Sequence, residues 1–159
     1  MPMTGYMKMP DIDGESRRAD NEGEIDILAI DWSMAQAANM QQGSGRTSSR
    51  ASVNPVGITK TYDASSPYLA LACMQGKAFD EVIISFRQDS GEAHLDYLVI
   101  TLKNVVISSY NMNGSAMGEE ITDALSLSFE EVVVKYTVQA DDHSSGDEHE
   151  IEYNVSAGV

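Results

Sequence analysis

The chain has 159 residues, 42% of them hydrophobic and 22% charged, which suits a single domain over 1–159 whose core needs neither metal nor disulfide. Its 25 Asp and Glu against 10 Lys and Arg give a formal net charge of -15. Such a surface repels phosphate backbones and anionic lipid and argues against nucleic-acid or membrane-surface partners. The one cysteine excludes an internal disulfide, no Cys/His spacing suggests zinc, and no apolar run nears the roughly 18 residues of a membrane span.

The N-terminus, "MPMTGYMKMPDIDGE", has no long apolar run and reaches acidic residues early, so no ordinary signal peptide is expected. Most of the chain alternates with period two, the pattern of half-buried strands. "MTGYMKM" reads as a short opening strand. In "EIDILAIDWSMAQ", Ile25, Ile27 and Ala29 share one parity and Ile30, Trp32 and Met34 the other, the trace expected of a β-bulge. With the second set inward, Asp31 and Ser33 point away from the core.

"QAANMQQGSGRTSSRASVN" is a Gly/Ser/Gln-rich loop of unusual length, and long loops in compact domains tend to be functional. "VGITKTY" is the next strand. A helix over Pro67 to Gln75 is expected, with Ser66 as N-cap, Pro67 at the first helical position and Gly76 just past the end. Leu69, Ala72 and Cys73 form its inner face. "EVIISFRQ" and "HLDYLVITLKNVVISS" flank a turn around Asp89, Ser90 and Gly91. "DALSLSFEEVVVKYTV" repeats the phase slip at Glu130-Glu131, "ADDHSSGDEHE" reads as an acidic loop, and "EIEYNVS" closes the chain as a strand. About seven or eight strands, bulged, with one short helix specify an all-β protein: a two-sheet β-barrel with bulged strands and a flanking helix.

Candidate chemistry is sparse. A thiol nucleophile needs a nearby His or cation, and His94, His143 and His149 fall in a hairpin flank and the acidic loop, so Cys73 reads as packing. "DIDGESRRADNE" spaces Asp11, Asp13, Glu15 and Glu22 like a calcium loop but puts its glycine fourth, where an EF-hand needs it sixth. His143, Asp147, Glu148, His149 and Glu150 crowd one segment without the regular spacing of metal ligands. "GSAMG" lacks the serine placement of a nucleophile elbow. No catalytic, cofactor or metal constellation emerges, and the chain reads as a non-enzyme.

Three separated stretches do carry a family pattern. "YMKMPDIDGESRRADNEGEIDILAIDWSMAQ", Tyr6 to Gln36, resembles the N-terminal signature of the haemolysin-coregulated protein family, Hcp, through the Asp13-Gly14-Glu15-Ser16 turn, the "EIDILA" strand and Trp32. "ITKTYDASSPYLALACMQGK" is similar at Ile58, Lys60, Asp63, Ser66, Pro67, Leu69 and Gly76. "YLVITLKNVVISSY", a Gly-rich turn and "DALSLSFEEVVVKY" complete the match in order over nearly the whole chain.

The resemblance implies a tube protein of bacterial type VI secretion. Six copies would form a ring, rings would stack into a tube within a contractile sheath, and a spike of the VgrG type would cap it. Effectors would ride in the lumen. Such proteins leave the bacterial cytoplasm without a signal peptide. On this reading the loop from Met40 to Ser52 reaches an adjacent ring, with Met40, Gln41, Arg46 and Arg50 at the contact, the arginines facing a neighbour's acidic patches. Asp31 and Ser33 become candidates for a polar lumen wall. The alternative is a monomeric β-barrel binding a small ligand; a hydrolase on a β scaffold ranks last, for want of a nucleophile–base pair.

Overall fold

The computed structural model describes residues 3–18, 20–36, 51–90, 93–139 and 145–159. Within them lie eleven strands and one helix. The strands are β1 (Met3–Lys8), β2 (Ile25–Ile27), β3 (Ala29–Asp31), β4 (Met34–Ala35), β5 (Ser52–Val53) and β6 (Val56–Thr61), then, after helix α1 (Ser66–Gln75), β7 (Ala78–Ser90), β8 (Ala93–Asn113), β9 (Thr122–Ser128), β10 (Glu131–Gln139) and β11 (Ser145–Asn154).

The expected barrel is present, as an antiparallel sheet wrapped in the order β2-β1-β7-β8-β9-β6-β3. It closes through the chain itself. β2 pairs with β1, the backbone bends at Leu28, and β3 pairs with β6; the Leu28 amide donates to the Thr59 carbonyl at 2.8 Å. The phase change read in this segment is therefore a corner between two partners. Ile25 and Ile27 face the core before it and Ile30 and Trp32 pack against the core after it, while Ala29 and Met34, placed inward by parity alone, are exposed.

The second phase slip is likewise a change of partner. β9 and β10 are separate strands that use the same edge of β8 in succession: β10 along Leu98–Lys103, β9 along Val106–Asn113. Between those stretches Asn104 adopts a left-handed φ of 53°, which asparagine tolerates better than most residues, and β8 turns there. Bulges occur at Phe86/Arg87, Ile107/Ser109 and Thr137/Gln139. β10 and β11 project from β8 as a two-stranded wing. The acidic segment read as a loop is strand from Ser145 onward, paired with β10, its carboxylates exposed on the outermost strand. Charged side chains suit such an edge because they discourage stray strand pairing.

The interior is filled by Met7, Ile25, Ile58, Ile84, Phe86, Leu102, Ile107, Leu125 and Leu127. Helix α1 seals the barrel flank by burying Leu69 and Ala72, with Cys73 half-buried against the same core. The helix ends as expected. Gly76 takes a left-handed φ of 63°, and the amides of Gly76 and Lys77 donate to the carbonyls of Cys73 and Ala72. Its start differs: Ser65 occupies the N-cap position without a side-chain cap, and Ser66 is already helical, its hydroxyl engaged elsewhere.

Candidate functional site

The face of β3, β6, β9 and β8 that points away from the core is built almost entirely of small side chains. Strand register aligns them in rows. Asp31 lies opposite Gly57, Gly57 opposite Ser126 and Ser126 opposite Ser109. The next row runs Ala29, Thr59, Ala124 and Asn111, followed by Thr61, Thr122 and Asn113. Residues directly paired across antiparallel strands share a face, so these rows form one continuous wall. A shallow groove of about 250 Å³ runs over it, lined by Asp31, Gly57, Thr59, Asn111 and Ser126 among others. Asp31 is the one charge in these rows. A Cβ on Gly57 would stand 2.7 Å from its Oδ1, so the carboxylate rests over the bare glycine backbone.

Of the two residues expected to turn away from the core, Asp31 lies in these rows and Ser33 lies outside them. Ser33 belongs to the base of the long loop: its carbonyl accepts from the Asn54 amide at 3.1 Å and its hydroxyl from Asn54 Nδ2 at 2.7 Å. Trp32 Nε1 donates to the Asn54 carbonyl at 3.0 Å, and the β4–β5 pair braces the same stem. Met40, Gln41, Arg46 and Arg50 lie outside the described residues.

Behind the wall the inward face of β6 ends in a charged cluster. Lys60 and Asp123 are cross-strand partners with fully buried side chains, Nζ to Oδ2 3.2 Å. Lys60 Nζ also donates to Asp63 Oδ1 at 2.9 Å and Ser66 Oγ at 2.7 Å. Tyr110 donates its hydroxyl to Asp123 Oδ2 at 2.7 Å, and Ser66 Oγ accepts the Asp63 amide. Burial pushes the Asp63 carboxyl up, but hydrogen bonds from Ser65 and Lys60 and the lysine charge outweigh it, and the group is held below its ordinary value. Tyr110 is pushed up, first by burial and then by Asp123. Lysine paired on all sides by oxygen is a strut, not a nucleophile; the cluster ties β6, β9, β8 and the start of α1 together.

Within and beside the calcium-like segment 11–22, side chains are tied to several different parts of the chain. Glu15 accepts the Ala64 amide at 3.2 Å, Glu24 accepts from Asn21, and Asp11 leans toward Lys77 at 3.8 Å. The loop is fastened down by Arg87, nearly buried over the Tyr6 ring, which pairs with Asp96 at 3.1 Å and Asp20 at 3.7 Å. Sequence reasoning missed the wall rows and the Lys60 cluster. For the cluster a signal existed, because a lysine amid the inward parity of "VGITKTY" demands a buried anion.

Residues 6–136 match the family described as Type VI secretion system effector, Hcp. Protein hcp1 of Pseudomonas aeruginosa is 34% identical over 160 residues, covering 100% of this chain and 99% of that protein. The chain belongs to the Hcp family. Among solved structures, Hcp1 from Salmonella typhimurium superposes with a TM-score of 0.81 at 28% identity, covering 99% of this chain and 97% of that one. A structure described as a type six secretion system protein gives 0.92 at 22% identity, covering 99% of each chain, and supports the fold alone. As an Hcp protein the chain is a secreted tube component of type VI secretion, from a family that self-associates and acts structurally.

Proposed function

We propose that six copies close into a ring with the wall of β3, β6, β9 and β8 turned inward as the lumen lining, and that rings stack into the inner tube. The observation that carries this reading is the wall itself. Rows of Gly, Ala, Ser, Thr and Asn, with the single carboxylate of Asp31, offer neither an apolar patch nor a dense charge field that would hold a passing cargo. Secreted effectors are the cargo assigned to the lumen. Met40, Gln41, Arg46 and Arg50 are assigned to contacts between stacked rings, and a contractile sheath and a VgrG-type spike complete the assembly. The protein starts in the bacterial cytoplasm and is exported, in a structural and not a catalytic role. A ligand-binding barrel has less support, since the barrel interior is occupied by packed side chains.

Electron microscopy of the concentrated protein tests this reading. Annuli with an open centre are expected; solid particles together with a strictly monomeric mass by light scattering would overturn it.

A further inference from the structure

The wall ends in two margins, and both are apolar. On one side β3 pairs with β6 alone among the described residues, and the corner that starts it exposes Leu28, at 60% relative accessibility; Met34 follows at 51%. On the other side β7 stops pairing with β8 at Ala78↔Val106, and α1 takes over that flank, with Ser66 beside Tyr110. There Tyr68, Leu71 and Met74 are exposed at 62%, 46% and 77%, with Met112 of β8 at 57%. Spaced by three residues, the helical side chains make one stripe along the outer face of α1.

We propose that these margins meet between copies: the outer stripe of α1, with Met112, seats against the Leu28 and Met34 margin of a second copy. This rests on the ring reading and names the surfaces that close it. Charge selects the occupant. Each copy carries -15, so contact between copies must avoid carboxylates meeting carboxylates. Helix α1 contains no charged residue at all, and the charges beside it, Lys77 and Asp11, offset each other at 3.8 Å. The facing margin carries the exposed carboxylate of Asp31, while Asp26, on the other side of Leu28, is engaged by Ser16 and Arg18 of its own chain. A ridge without net charge therefore meets an apolar corner beside a carboxylate, a contact two like-charged copies can make without repulsion. Because the two surfaces differ, the contact is head-to-tail, and a head-to-tail contact closes into a ring when its rotation divides a full turn.

Leu71→Glu and Leu28→Glu, both at exposed positions, test the assignment in the full chain, with Met74→Glu as a second helix variant and Leu71→Met as the conservative control. Light scattering should give a six-fold mass for the wild type and Leu71→Met, and monomers for each Glu variant, with circular dichroism melts unchanged. Mixing Leu71→Glu with Leu28→Glu leaves one intact pair of margins, so a dimer of one copy of each is expected. Rings from all the Glu variants, or a mixture that stays monomeric, would overturn the margin assignment while leaving the ring reading intact. A monomeric wild type would instead overturn the ring reading itself.

Discussion

The two faces of β6 carry opposite chemistries three residues deep. Outward, Gly57, Thr59 and Thr61 contribute only small side chains to the wall; inward, Val56 and Ile58 pack the core and Lys60 joins them in full burial. The wall side is simple because nothing there has to be held in place. The core side ends in a charge because the barrel mouth must be fastened to α1, and Lys60 reaches Asp63 and Ser66 on that connection as well as Asp123 on β9. Substitutions on one face should therefore be expensive and on the other almost free, a contrast that can be measured strand position by strand position.

Lys60→Met gives the largest expected effect. Removing one partner of a buried pair leaves the other charge uncompensated, at a cost of about 3–5 kcal/mol. Asp123 would then keep only the Tyr110 hydroxyl on Oδ2, since its Oδ1 has no hydrogen-bond partner among the described residues. Urea unfolding should show the loss, and adding Asp123→Asn, which removes the charge yet still accepts from Tyr110, should restore part of it. A loss under about 1 kcal/mol for Lys60→Met would mean that the cluster does not hold the barrel mouth.

How much of this was written in the sequence depends on the range of the interaction. Helix α1 was visible to within a residue because Pro67 and Gly76 act locally, and the strands were visible because alternation is local too. Partner choice was not. A bulge and a corner leave the same one-residue slip in parity, so Leu28 and Glu130-Glu131 could not reveal that the chain changes neighbours there. The acidic first half of β11, Ser145 to Glu150, read as a loop because an edge strand with its carboxylates in solvent shows no apolar period, whereas its second half read as strand. Asp31 was found by parity, but the wall around it needs the registers of four strands, and Ser33, of the same parity, left the wall because Asn54 holds it in the loop stem.

Acid should weaken the core face through Asp63. Its carboxyl is held below the ordinary 3.8, so the folded state favours the anion more than the unfolded chain does. That contribution is fully present above the unfolded value and disappears as pH falls through the lower folded value. Urea midpoints measured from about pH 5 down to about pH 2.5 should drop more steeply for the wild type than for Asp63→Asn, which has no proton to take up. Equal slopes would show that the Lys60 and Ser65 contacts do not stabilise the charged form.

The smallest effect belongs to the wall, and it should change sign with its neighbour. Glycine inside a strand costs roughly 0.5–1 kcal/mol relative to alanine, so Gly57→Ala ought to stabilise β6 wherever the new methyl fits. In the wild type it meets the Asp31 carboxylate, with Oδ1 and Oδ2 at 2.7 and 2.9 Å from the Cβ position. Asp31 is exposed and can swing aside, but doing so strips its packing from the glycine backbone and offsets the gain. Gly57→Ala alone should therefore be close to neutral, whereas in an Asp31→Ala background it should stabilise by about 0.5 kcal/mol or more. A double-mutant cycle on urea midpoints measures the coupling directly. If Gly57→Ala has the same effect in both backgrounds, the carboxylate does not rest on Gly57, and the lone charge of the wall is held by something else.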